Sequence, residues 1–269
     1  MGARPMLATT FAANALSVSV PLAGPELGTA FTFRRYTGLG ADAPLAAWSL
    51  LVGGVASAAA GAVLIAGGAL SSGNIAATLV AAAGAALACA ALAAVVTAAR
   101  WPWLRGALER PAAWTLRHGS RLLRRPAQEP VQVIWSWAGR LGSLRLPVSG
   151  WIVVTGLAMA NWLADAGVLT VSIHAVGAAV PWHVLLLAYG AGVGAQSVTI
   201  TPGGLGVTEG ALGLTLVAAG MQADQALAAV LFYRLISFWL VALAGWLTFF
   251  GLRGRPAARE QSTRPHSSR

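Results

Sequence analysis

The chain has no lysine, a single cysteine and few charges of any kind. Charged residues make up 10% of the 269 positions, against the roughly 25% of an ordinary soluble domain. A water-facing surface of normal size cannot be built from so few. One cysteine, Cys89, excludes an intrachain disulfide, and its position inside an apolar run reads as packing. The four histidines, His118, His174, His183 and His266, stand at no metal-ligand spacing. Phosphate-binding, dinucleotide-binding and nucleophile-elbow motifs are missing. No metal, no cofactor and no enzymatic activity is therefore expected. No cleavable signal peptide is expected either, since the first twenty residues carry only Arg4 and run on into motif-like sequence.

What the chain does have is long apolar runs. Hydrophobic residues make up 57% of it, and mean hydropathy is +0.69. Residues 44–70 and 74–99 carry no charge. Residues 148–177 carry Asp165 and His174, residues 181–201 carry no acid or arginine, and residues 225–252 carry Arg234. Each run meets the roughly 20 residues needed to cross a hydrocarbon core. Only internally hydrogen-bonded helices suit such runs, because the alternation of a membrane barrel is absent. The expected fold is all-α: a polytopic transmembrane bundle.

The net charge of +10 comes entirely from arginine. Residues 100–146 hold nine arginines against Glu109 and Glu129, and the tail from residue 253 holds five against Glu260. Arg34 and Arg35 form a third cluster, while the loops at 71–74, 178–181 and 220–224 hold none. Short basic loops stay in the cytoplasm. Loop 100–147 and the C-terminus are thus expected on the cytoplasmic face of the cell membrane, with tail 253–269 disordered. Trp101, Trp103, Trp114, Trp135 and Trp137 lie among these arginines. That mixture points to anionic lipid headgroups rather than nucleic acid.

The two ends of the chain resemble each other. At an offset of 182, Gly24 falls on Gly206, Gly38 on Gly220, and Ala41-Asp42 on Ala223-Asp224. One-residue gaps bring Pro21 onto Pro202 and Glu26 onto Glu209. The charge distribution starts the two copies on opposite sides, so two inverted repeats are expected. Repeat one spans about 7–99 and repeat two 148–252, together forming an integral membrane domain over 1–252. Each repeat opens with a broken, re-entrant hairpin. Pro202-Gly203-Gly204 should interrupt one, with a return over 207–221, and 21–25 the other, with a return over 29–33. Inverted repeats with broken helices are a transporter plan.

The charges inside these segments are the candidate site. Glu209 follows the Pro-Gly-Gly break in a first helical turn, where an anion is favoured. Arg234 lies about nine residues, or about 14 Å, into the last helix. A central arginine costs roughly 2.5–3.5 kcal/mol on insertion scales and should face a cavity or a partner. Glu209 and Arg234 are expected to line one polar site with Glu26 from the other repeat, Arg234 gripping a phosphate. The plainer reading is a buried Glu–Arg pair that fixes packing, with Glu209 as a cap. Pro21, Gly24, Pro202, Gly203, Gly204 and Gly206 shape the breaks. Asp165 joins the set one turn from Asn161, both expected to face the interior, whereas Tyr233 reads as an interfacial or packing aromatic. Asp42 and Asp224 read as helix caps.

The segment Thr201-Pro202-Gly203-Gly204-Leu205-Gly206-Val207-Thr208-Glu209-Gly210, followed by Leu231 to Trp239, resembles the signature of the lysylphosphatidylglycerol synthase transmembrane-region family. Pro21 to Glu26 with Arg34-Arg35 resembles its first motif, with Ala23 where an arginine is common and Val52 as the counterpart of Arg234. The resemblance implies a flippase-like domain that moves aminoacylated or other anionic lipids, or lipid-linked precursors, between leaflets. It also implies the loss of synthase activity, because a short tail stands where synthases carry a soluble domain. One or two helices commonly precede the first motif in that family, so a shortened or late-starting chain is implied. Phospholipids are the expected partners, with a lipid-modifying enzyme as a further one. The alternatives are a scaffold for such an enzyme or a glycosyltransferase, and a small-solute permease.

Overall fold

The computed structural model describes residues 3–100, 146–197 and 201–253. Helices α1 (Ala3–Ser19) and α2 (Gly24–Gly38) form a hairpin, followed by the long α3 (Ala43–Ser71) and α4 (Ile75–Arg100). The second half holds α5 (Val148–Ala175), α6 (Trp182–Ser197), a 3₁₀ turn at Pro202–Gly204 and α7 (Val207–Ala218). A final rod comprises α8 (Ala223–Arg234), a π-helical stretch over Leu235–Leu240 and α9 (Val241–Arg253). Among the described residues there is no strand. Ala43–Ser71, Ile75–Ala94, Val148–Ala175 and Ala223–Leu252 are long and apolar enough to cross a membrane. The basic loop and the arginine-rich tail expected at the cytoplasmic face fall at 101–145 and 254–269, outside the described residues.

Both expected breaks are present. Proline disfavours helix in the residue before it, and α1 stops at Ser19, two residues short of Pro21. Leu22 then turns the chain with φ 61°, and Pro25 sits in the first turn of α2, where a missing N–H costs nothing. The return arm is longer than residues 29–33. It runs over Gly24–Gly38, because Arg34, Arg35 and Tyr36 extend the helix past the apolar stretch. The second return arm is shorter than expected. It stops at Ala218, just before Gly220 takes φ 95°. Its 12 residues span about 18 Å as helix, less than a hydrocarbon core.

Burial of apolar surface does not drive helix association in lipid, so close approach and polar contacts must. Small residues mark the contacts. A Cβ on Gly68 would strike Leu186, and one on Gly245 would strike the Phe11 carbonyl. These positions hold α3 against α6 and α9 against α1. The pairing is reciprocal: the first arm of each hairpin packs on the long rod of the other half. Two indoles add ties between helices. Trp162 of α5 donates to the Ser57 carbonyl of α3 at 2.9 Å, and Trp246 of α9 to Ser19 Oγ at 2.9 Å.

Asp42 and Asp224 were expected to cap helices, and neither does. Asp42 stands at the N-cap of α3 with no side-chain bond to the helix, and Asp224 lies inside the first turn of α8 behind Gln222. Pro44 already occupies the first turn of α3 and removes one orphan donor. Asn74 is the side chain that does cap, taking the Ala77 N–H at 3.0 Å.

Candidate functional site

The site grows from the second break. Thr201 Oγ1 donates to the Leu205 carbonyl at 2.9 Å and closes a tight loop. Inside it, Gly203, Gly204 and Gly206 all take positive φ, at 58°, 69° and 88°. Glycine alone adopts this region without cost. Position 203 has a second constraint, since a Cβ there would overlap the Phe238 ring.

Glu209 divides its carboxylate between two partners. Oε2 accepts the Gly206 N–H at 2.6 Å, which caps α7. Oε1 accepts from Arg234 Nε at 2.6 Å. Both parts of the plainer reading, the cap and the buried ion pair, are therefore present. Arg234 is 4% exposed and Glu209 17%. The guanidinium also donates through Nη2 to the Gly203 carbonyl at 2.6 Å, and its Cζ sits 4.6 Å from the Phe238 ring centre. Phe238 reaches this place from the π-helical stretch directly after Arg234. Such stretches often mark functional positions. One arginine thus ties the break, the return arm and the last rod together. A charge at this depth is tolerated only with such partners.

Asp165 forms a second cluster. Its Oδ2 accepts from Tyr189 of α6 at 2.7 Å and from Tyr233 of α8 at 3.0 Å. Tyr233, read from sequence as an interfacial or packing aromatic, is buried and hydrogen-bonded here. Both tyrosines are missed by motif reasoning, because tyrosine in an apolar run looks like packing. The usable signal was Tyr233 standing beside Arg234. Trp162, a turn before Asp165, meets the Tyr189 ring edge-on at 6.2 Å. Asn161, expected inside with Asp165, is exposed.

Glu26 does not join the Glu209–Arg234 pair. It is exposed, in the first turn of α2, where it lines a cavity of about 760 Å³ between α2 and α3. Arg34 lies at the other end of the same lining, and Phe33, Leu50 and Leu51 make its wall apolar. The physical reason is the turn itself. Pro21, Leu22 and Ala23 are exposed, and Gly24 and Gly28 sit flush on Ser17, so Glu26 points away from the packed side of α2. Val52, the counterpart of Arg234, is buried with Trp48 and Trp151. Among the described residues, no group of three His, Cys, Asp or Glu could hold a metal.

A sequence model of the family described as Lysylphosphatidylglycerol synthase TM region matches residues 1–245, which takes in both hairpins and the Glu209–Arg234 pair. The chain belongs to the lysylphosphatidylglycerol synthase TM region family. No curated protein and no solved structure matches it. As a member of that family, it is a membrane protein linked to lipid handling. The match covers the membrane region that the family name describes, and it fits a role other than catalysis.

Proposed function

We propose that the protein moves an anionic or aminoacylated phospholipid, or a lipid-linked precursor, between the leaflets of the cytoplasmic membrane. The observation that carries this reading is the arginine held by Glu209 and Gly203 at a broken hairpin. A guanidinium suits a phosphate bidentately. Glu209 would hold it until a lipid phosphate competes for the same donors. The 760 Å³ cavity beside Glu26 and Arg34 is within the range of ligand pockets, about 300–1,000 Å³. In this reading it receives the headgroup while the acyl chains stay among the exposed leucines of α3. The reciprocal packing of hairpins and rods supports two inverted repeats that exchange roles as access alternates. In this reading residues 100–147 and the C-terminus lie in the cytoplasm, which their excess of arginine favours.

The test is leaflet exchange of a fluorescent phosphatidylglycerol in vesicles holding purified protein. Wild type should accelerate exchange, and an Arg234→Ala protein that inserts normally should not. Equal rates with the two proteins would reject the phosphate role of Arg234. A wild-type rate no faster than that of empty vesicles would reject transport and leave the scaffold reading.

A further inference from the structure

We infer that α5 is the contact helix of a symmetric dimer, in which Asn161 of one copy hydrogen-bonds Asn161 of a second copy at the middle of the membrane. The inference is independent of the transport reading above.

Asn161 lies 13 residues after Val148 and 14 before Ala175, the two ends of α5. That puts it about 20 Å from either end of a helix long enough to cross the membrane. Polar side chains near it are satisfied. Trp162 donates to the Ser57 oxygens of α3, and Asp165 accepts from two tyrosines. Thr170 and Ser172 donate back to carbonyls of α5 itself, at 3.0 and 2.8 Å. Asn161 does neither. It is exposed and makes no hydrogen bond among the described residues. Its amide carries both donors and an acceptor, and hydrocarbon satisfies none of them.

The residues beside it form a seam. Leu157 stands four residues before Asn161, Ala164 three after it and Val171 ten after it. All are exposed, Leu157 by 66% and Val171 by 64%. This is the heptad spacing of paired helices. Leu163 is exposed as well, but it points about 120° away from the seam.

What covers the seam follows from the amide. Copies of the chain insert in one orientation, so the axis of a closed dimer stands along the membrane normal. Each residue near that axis meets its own counterpart at its own depth. An asparagine is complementary to itself. Nδ2 donates to Oδ1 of the other amide, and the return bond forms in the same way. Acyl chains offer neither group, and lipid headgroups lie about 15 Å from the membrane centre. A second copy carries the matching group at the matching depth. Hydrogen bonds of this kind hold helices together in lipid, where apolar burial does not. One polar pair in an apolar seam also fixes register, because any slip leaves both amides unpaired.

Disulfide cross-linking tests the seam, because the chain has a single cysteine, Cys89, on α4. The protein, carrying Cys89→Ser, is placed in vesicles of phosphatidylglycerol and phosphatidylethanolamine. Leu157→Cys, Ala164→Cys and Val171→Cys should each give an oxidised dimer of twice the 27.4 kDa chain. Leu163→Cys should stay monomeric. No dimer from any seam position overturns the proposal, and so does as much dimer from Leu163→Cys as from Leu157→Cys. Energy transfer between labelled copies, followed as the protein is diluted with lipid, tests the amide. Asn161→Leu should weaken association by about threefold to tenfold, the worth of a hydrogen bond between membrane helices. Equal association of variant and wild type overturns the pairing of Asn161. No energy transfer in wild type at any dilution shows that lipid covers the seam and overturns the dimer. In detergent, at a dilution where wild type is monomeric, Asn161→Leu should unfold at the wild-type temperature. A fall would show that the amide bonds within its own chain, which also overturns the proposal.

Discussion

Hairpin α6–α7 turns its acid inward onto an arginine, whereas hairpin α1–α2 leaves its acid at the surface beside an open cavity. Both breaks use proline, and both return arms start at or just after a glycine. The difference lies in what the following rod supplies. The last rod brings Arg234 and Phe238 to the second break. The third helix brings Val52, packed against Trp48 and Trp151. In the first half, Arg35 Nε and Trp48 Nε1 are buried without a hydrogen-bond partner, while Arg234 is held on two sides. A shared backbone plan therefore yields a charged lock in one half and an apolar seam beside an open cavity in the other.

Removing the lock should have the largest effect. Arg234→Ala strands Glu209 in a largely closed site, and breaking a buried pair costs about 3–5 kcal/mol. A large fall in unfolding temperature in detergent, with loss of lipid exchange, is expected. An unchanged unfolding temperature would show that the pair does not lock the hairpin. Making the first half resemble the second should cost nearly as much. Val52→Arg puts a charge among Trp48 and Trp151, while Glu26 is exposed in the wild-type chain, a penalty of roughly 2.5–3.5 kcal/mol on insertion scales. Recovery of wild-type stability would mean that Glu26 can swing inward, which would erase the distinction between the halves. Gly203→Ala comes next. Strain at positive φ and overlap with Phe238 should cost about 1–3 kcal/mol. Combining it with Phe238→Ala should restore the part due to overlap, and strict additivity in the double-mutant cycle would deny that contact. Glu26→Gln should be the mildest, shifting the unfolding temperature by less than about 2 °C. Its effect should fall on lipid exchange, so a variant that exchanges lipid at the wild-type rate would remove Glu26 from the lipid path.

The sequence made the spans and both breaks legible because lipid imposes length and proline imposes interruption. Neither depends on distant contacts. The Glu209–Arg234 pair was legible for a similar reason, since two rare charges in apolar runs have few other ways to be satisfied. The placement of Glu26 was not. The repeat aligns it with Glu209, but which side of α2 packs is set by Gly24 and Gly28 against Ser17, and the alignment carries no such orientation. Asp165 was found and its partners were not. A tyrosine hydroxyl gives no periodic signal, and the two donors come from helices 24 and 68 residues away in sequence. The lengths of the return arms were misjudged for local reasons, arginine prolonging one helix and Gly220 halting the other.

The π-helical stretch over Leu235–Leu240 makes the last rod a coupling with two differently aimed ends. A widened turn absorbs an extra residue, so the part below it is rotated against the part above. One end can face α5 and α7 while the other faces α1. Deleting a single residue there would straighten the rod and swing everything beyond it by about 100°. Trp246 would leave Ser19, and the two halves of the molecule would lose their common axle.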